Sequence, residues 1–264
     1  MSGRVLVITS GKGGVGKTTA TANLGAALAL RGKRVLVIDA DIGLRNLDVI
    51  MGLENRIVFN LVDVIKGVCK HQQAIIKSKR SNNLFLLPAS QTDDKNVINV
   101  DEMRDLLNKL KQEFHFILVD CPAGIEQGFK NACAGADQAI VVTTPEVSSI
   151  RDADRVIGLL ASEGIETSLL INRVDRDLVK QGDMIAPQEV VEMLGIDQIG
   201  MIFRDNDIVI SSNSGDPIVY NEKSKVGKAF LEVADRLLGV AVPISTNISE
   251  SFWTRLGRKF SRAV

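Results

Sequence analysis

Gly11-Lys-Gly-Gly-Val-Gly-Lys-Thr-Thr19 lies between the apolar run Arg4-Val-Leu-Val-Ile-Thr9 and an Ala/Leu-rich stretch, residues 17–31, that stops at Gly32. A run of branched apolar residues ending in Ser10-Gly11 reads as a strand buried on both faces, and the stretch after the loop reads as a helix with Gly32 just past its end. A glycine-rich loop between strand and helix binds phosphates through backbone N–H groups and the helix N-terminus. The stretch satisfies GxxxxGK[ST] and also GxGxxG, and Asp39 follows Gly16 by 23 residues, about where a dinucleotide fold keeps its ribose-binding acid. A dinucleotide loop has no use for Lys17 or Thr18. A nucleoside triphosphate needs both, the ammonium at the β/γ oxygens and the hydroxyl on Mg²⁺. On this reading Gly11, Lys12, Gly13, Gly14, Val15, Gly16, Lys17, Thr18 and Thr19 bind the nucleotide. An NAD-dependent oxidoreductase is the lesser alternative.

Outward from the loop, strand and helix patterns alternate. Strands are expected at 33–39, 84–87, 115–120, 138–144, 168–172 and 199–203, and helices at 101–112, 149–162, 189–194 and 225–238. That order predicts an α/β fold, a single-domain P-loop NTPase with a mostly parallel sheet flanked by helices, its ligand at the carboxyl ends of the strands. The 264 residues carry 32 Lys+Arg against 32 Asp+Glu and are 45% apolar, which excludes a disordered or collagen-like chain and argues against a general nucleic-acid coat. A local basic patch can still hide within a zero sum. Cys69, Cys121 and Cys133 are odd in number and have no CxxC spacing, and no leader is read before the first strand, so a reducing, cytoplasmic setting is expected. His71 and His115 have no partners at zinc-ligand spacing. No apolar run is long enough to span a bilayer.

His115-Phe-Ile-Leu-Val-Asp120 ends a strand in an acid, as expected of the carboxylate that supports Mg²⁺ opposite such a loop, and Cys121-Pro-Ala-Gly124 supplies a turn able to follow the γ-phosphate. Lys12 is the unusual residue. Lys17 already serves its own nucleotide, so a second lysine in the loop is best explained if it reaches a neighbour's nucleotide across a dimer, as an arginine finger does in trans. Asn172-Arg-Val-Asp175 is like the base-reading motif of guanine-specific P-loop proteins, and by itself it does not choose between ATP and GTP.

The chain divides at about residue 240. Residues 1–240 form the expected nucleotide-binding domain, 241–251 a linker with Pro, Ser and Thr, and 252–264 an amphipathic helix. At 100° per residue, Phe252, Trp253, Leu256 and Phe260 share an arc of roughly 120° with Ala263 and Val264, while Arg255, Arg258, Lys259 and Arg262 occupy the other face. Such a helix lies in the interface of an anionic membrane. Each base contributes about 1 kcal/mol there and the short apolar arc a few more, so one tail binds marginally and two tethered tails bind well. Nucleotide-gated dimerisation then becomes nucleotide-gated membrane binding.

The loop with Lys12, together with DADIGLRNLD (39–48), DCPAG (120–124) and PEVSSIRDADR (145–155), resembles the deviant Walker A (ParA/MinD) ATPases over nearly the whole chain, and the latter motifs resemble their septum-site branch. The resemblance implies an ATP hydrolase that forms a sandwich homodimer on ATP, binds membrane as that dimer and leaves it after hydrolysis. It implies Lys12 acting in trans, Asp41 and Asn46 in a switch that places the attacking water, Thr18, Asp41 and Asp120 near Mg²⁺, and Asn172 on the adenine. It also implies that Glu146, Ser148, Asp152 and Asp154 lie on or near a surface met by a MinC-like septum inhibitor and a MinE-like activator. The expected location is cytoplasmic, peripheral on the inner face of the cell membrane, with the plastid stroma as the other compartment. The family commonly has Ile-Pro where this chain has Ile202-Phe203. A partition (ParA-type) ATPase that binds DNA is the main alternative.

Overall fold

A computed structural model describes residues 2–94 and 96–244; the expected membrane helix, 252–264, lies outside the described residues. Among the described residues eight strands form one sheet: β1 (Arg4–Thr9), β2 (Val35–Asp39), β3 (Ile76–Lys77), β4 (Leu84–Leu87), β5 (Phe116–Asp120), β6 (Gln138–Thr143), β7 (Glu166–Val174) and β8 (Gln198–Phe203). Their spatial order is β3-β4-β2-β5-β1-β6-β7-β8, parallel throughout except for the antiparallel β3–β4 pair at one edge. The expected architecture is therefore observed.

Alternate residues of each strand feed two apolar layers, as the pleat requires. Val5 and Val7 of β1 and Leu36 and Ile38 of β2 face one layer, covered by the helices Val100–Leu110, Val147–Ser162 and Pro187–Leu194. Leu6, Ile8, Val35 and Val37 face the other, covered by Lys17–Leu30 and Lys225–Leu237. The helix Lys17–Leu30 is buried nearly all round between the sheet and Lys225–Leu237, which is why its sequence is Ala/Leu-rich without a polar stripe. It ends at Gly32, whose φ of 77° only glycine adopts without cost.

The long elements match their expected positions to within a few residues. Strand β7 runs beyond 168–172 at both ends, taking in polar Glu166 and Arg173, which a hydrophobic-run criterion stops short of. The helices Leu47–Ile50, Leu61–Ile65, His71–Ala74, Gln127–Cys133, Arg176–Gln181 and Asp207–Asn213 were not anticipated. None exceeds seven residues, too short to show a period. Cys121 is buried and Cys133 partly so, in packing positions. Among the described residues no helix is long and apolar enough to cross a membrane.

Candidate nucleotide site

The carboxyl ends of β1, β2 and β5 lie side by side and carry the loop 10–16, Asp39 and Asp120. Gly16 has φ 99°, and a Cβ there would collide with the Asn172 amide, so the sharp entry into the helix at Lys17 needs glycine. That helix starts with no side-chain cap and no acid in its first turn. Its orphan N–H groups and positive dipole end face the loop, an arrangement suited to an anion.

The two lysines part company. Lys17 is 8% exposed and its Nζ donates to Ser10 Oγ at 3.0 Å, while Ser10 donates to the Lys12 carbonyl at 2.8 Å. Lys12 points outward: its Nζ donates to Ser148 Oγ at 3.0 Å and lies 3.8 Å from Glu146 Oε2. The loop thus touches the start of Val147–Ser162, the expected partner surface. Ser149 fixes that start by bonding Thr143 Oγ1 at 2.9 Å and accepting the Thr144 N–H at 3.1 Å. Glu146, Ser148 and Asp154 are exposed and Asp152 is half-buried.

Asp39 and Asp120 are direct neighbours in the β2–β5 register and are 1% and 2% exposed. Burial first and then the nearby Asp39 raise the Asp120 carboxyl to about 8, against hydrogen bonds from Thr18 and Thr21 and the charge of Lys17. Burial likewise raises Asp39 to about 6, against backbone hydrogen bonds. Two buried carboxyls beside a lysine and two hydroxyls are a donor set that fits a hard divalent cation, which would draw both into the ionised form. The structure thus brings together Thr18, Lys17 and Asp120.

Asp39 also accepts the N–H groups of Asp41 at 3.0 Å and of Asn46 and Leu47 at 3.1 Å each, tying down the loop 40–46 that carries Asp41 and Asn46. Asp41 is half-buried next to Asp39, and Asn46 is exposed at the start of Leu47–Ile50. The Asn172 Nδ2 donates to the Val15 carbonyl at 2.8 Å, so Asn172 holds the loop from β7. Sequence reasoning had left Asp39, Ser10 and Thr21 out of the triphosphate site. Thr21 is one helical turn after Lys17 and donates to Asp120 Oδ1 at 3.1 Å, so the i,i+4 spacing was the available signal.

Against known proteins, the family model described as an AAA domain matches residues 3–163. The septum site-determining protein MinD of Bacillus subtilis is 53% identical over 245 residues, covering 92% of this chain and 91% of that protein. Among solved structures, the MinC:MinD cell division protein complex of Aquifex aeolicus gives a TM-score of 0.86 at 47% identity, covering 92% of this chain and 98% of that one. The septum site-determining protein MinD of Pyrococcus horikoshii, complexed with Mg-ADP, gives 0.81 at 32% identity, covering 89% and 95%.

Proposed function

The chain belongs to the MinD family of septum site-determining proteins, and from that premise we propose that it is a Mg-ATPase that dimerises on ATP, binds the membrane through residues 252–264 and recruits a MinC-like septum inhibitor. The observation that carries this reading is the division of labour between the lysines: Lys17 is enclosed at the uncapped helix start, and Lys12 leaves its own loop for Ser148 and Glu146.

Lys17 and the first N–H groups of Lys17–Leu30 bind the phosphates; Thr18 and Asp120, with Asp41 nearby, hold the cation. Bound Mg-ATP supplies the transferable phosphoryl group and the positive charge that lowers the buried carboxyl pKa values. Asp41 and Asn46 position water from a loop that Asp39 keeps in register. Lys12 is supplied to a second copy's phosphates, which removes it from Ser148 and Glu146 and clears that surface, with Asp152 and Asp154, for the inhibitor and for a MinE-like activator. Two tails on one dimer then hold an anionic leaflet where one does not. The protein is accordingly cytoplasmic and peripheral on the membrane.

Trp253 is the chain's only tryptophan and sits in the apolar arc of the tail. Its emission should shift blue on anionic vesicles with Mg-ATP and little with Mg-ADP. No shift in an ATP dimer confirmed by light scattering would refute the membrane step, and salt-sensitive retention of that dimer on DNA would favour a partition ATPase.

A further inference from the structure

One hydroxyl joins the two lysines of the loop. Ser10 follows β1 directly and is 1% exposed. Its Oγ accepts from Lys17 Nζ at 3.0 Å and donates to the Lys12 carbonyl at 2.8 Å. A hydroxyl has a single proton to give, so the chain of bonds has a direction, from the Lys17 ammonium through Ser10 to the backbone of residue 12. A hydroxyl that accepts from a cation is polarised and donates more strongly. The bond that fixes residue 12 therefore weakens when the ammonium leaves.

The surroundings make residue 12 the part of the loop able to respond. On one side Gly11 is wedged against Val147–Ser162, where an added Cβ would overlap the Asp152 backbone. On the other side the loop has room: a Cβ on Gly13 would just touch Ala123 at 3.9 Å, and one on Gly14 would touch nothing. The Lys12 side chain holds Ser148 and Glu146 at the surface, and exposed contacts of this kind are weak. From the buried side, residue 12 is held by Ser10.

We propose that Ser10 is a positioning residue that relays the state of Lys17 to Lys12, keeping Lys12 on Ser148 and Glu146 while Lys17 rests on the hydroxyl and loosening it when a phosphate draws Lys17 away. The proposal rests on the reading of residues 11–19 as the phosphate site. An empty loop then keeps Lys12 turned to its own subunit, and an occupied loop offers it to a second copy. Ser10 also competes with phosphate for the Lys17 ammonium. Removing the hydroxyl therefore leaves nucleotide binding as strong as before or stronger, whereas removing a plain turn support loosens the loop and weakens binding.

The test reads Lys12 directly in the full chain, with Mg-ADP as the probe. Acylation by an N-hydroxysuccinimide ester needs the Lys12 nitrogen free of Ser148 and Glu146, and peptide mass spectrometry gives its rate relative to exposed Lys180. In the native chain Mg-ADP should raise that rate several-fold. Ser10→Ala should give the raised rate without nucleotide and little further change with it, while calorimetry shows Mg-ADP bound as tightly as by the native chain or up to about tenfold more tightly. Ser10→Thr keeps the hydroxyl and should restore the nucleotide response. Should Ser10→Ala not fold, Ser10→Cys, with its weak donor, takes its place with the same expectations. A folded variant without the hydroxyl whose Lys12 is still acylated slowly until Mg-ADP is added overturns the proposal. Weaker Mg-ADP binding by that variant also overturns it, since Ser10 is then a support of the loop. A native chain that binds Mg-ADP with no change at Lys12 overturns the relay and leaves the phosphate site standing; a native chain that binds no Mg-ADP removes the phosphate site and the relay with it.

Discussion

Asp120→Asn should stabilise the nucleotide-free protein while abolishing its response to Mg-ATP. Asp120 is 2% exposed beside Asp39, and its carboxyl ionises at about 8 rather than 3.8. A carboxyl raised in this way binds a proton in the folded state that the unfolded chain has already lost. Its cost is absent below pH 4, grows as pH rises between 4 and 8, and is complete above 8. At pH 7 the full difference amounts to about 4 kcal/mol, and relaxation of the site with water entry reduces it to about 2 kcal/mol. Asparagine keeps the shape and can still accept the Thr21 hydroxyl that now bonds Asp120 Oδ1. For a chain of this length the gain corresponds to about 4–8 °C in Tm. Thermal melts in EDTA from pH 5 to pH 8 would measure it: the native chain should lose stability across that range and the variant should lose much less. In Mg-ATP the order should reverse, because the native carboxylate gains a cation and the amide does not. A variant that melts at or below the native temperature in EDTA, with the same pH slope, would refute the argument that Asp120 is held at a cost for metal binding.

Lys17→Ala should weaken nucleotide binding at least about 100-fold, and titration calorimetry together with light scattering should then show no ATP-dependent dimer. Lys12→Ala should lower hydrolysis by about 10³-fold or more yet leave the melting temperature within about 2 °C, since its present contacts with Ser148 and Glu146 are exposed. Mixed dimers of Lys12→Ala with Lys17→Ala should recover part of the activity if Lys12 works in trans, and none if it works in its own subunit. Burial raises the Cys133 thiol to about 12 and the Cys121 thiol well above its ordinary value, so iodoacetamide at pH 8 should label Cys69 first and the other two only on unfolding, as read by peptide mass spectrometry.

The fold was legible where an element is long and buried on both sides. Residues 4–9, 35–39 and 116–120 are continuous apolar runs because both faces of the sheet are covered, and each run became a strand. Legibility failed where local side-chain chemistry makes one turn of helix. Leu61–Ile65 exists because Asn60 and Asp63 cap each other's backbone N–H groups, a four-residue signal with no periodicity behind it. Strand β3 is two residues whose sole strand partner among the described residues is β4. Strand order was equally hidden, since the adjacency of residues 39 and 120 depends on β5 inserting between β1 and β2.

Asp39 shows how the same residue supports different chemistry once its neighbours are known. In the sequence it was the strongest support for a dinucleotide site, an acid at the end of the second strand at the expected distance from the loop. A ribose-binding acid must offer its oxygens to the ribose hydroxyls. The Asp39 oxygens accept three backbone N–H groups from residues 41, 46 and 47, and the side chain is 1% exposed. They are committed to the loop that carries Asp41 and Asn46. Asp39 also faces Asp120, whose raised pKa its charge helps to set. In the proposed function an acid placed there would link the cation to the loop: a cation that drew Asp120 and Asp39 into the ionised state would strengthen the three hydrogen bonds that hold 41–47, because a charged acceptor binds N–H groups about twice as strongly as a neutral one. On the proposed reading the spacing that fitted a ribose therefore serves a switch, and the residue beside it, Asp120, is contributed by a strand 81 positions away in the sequence.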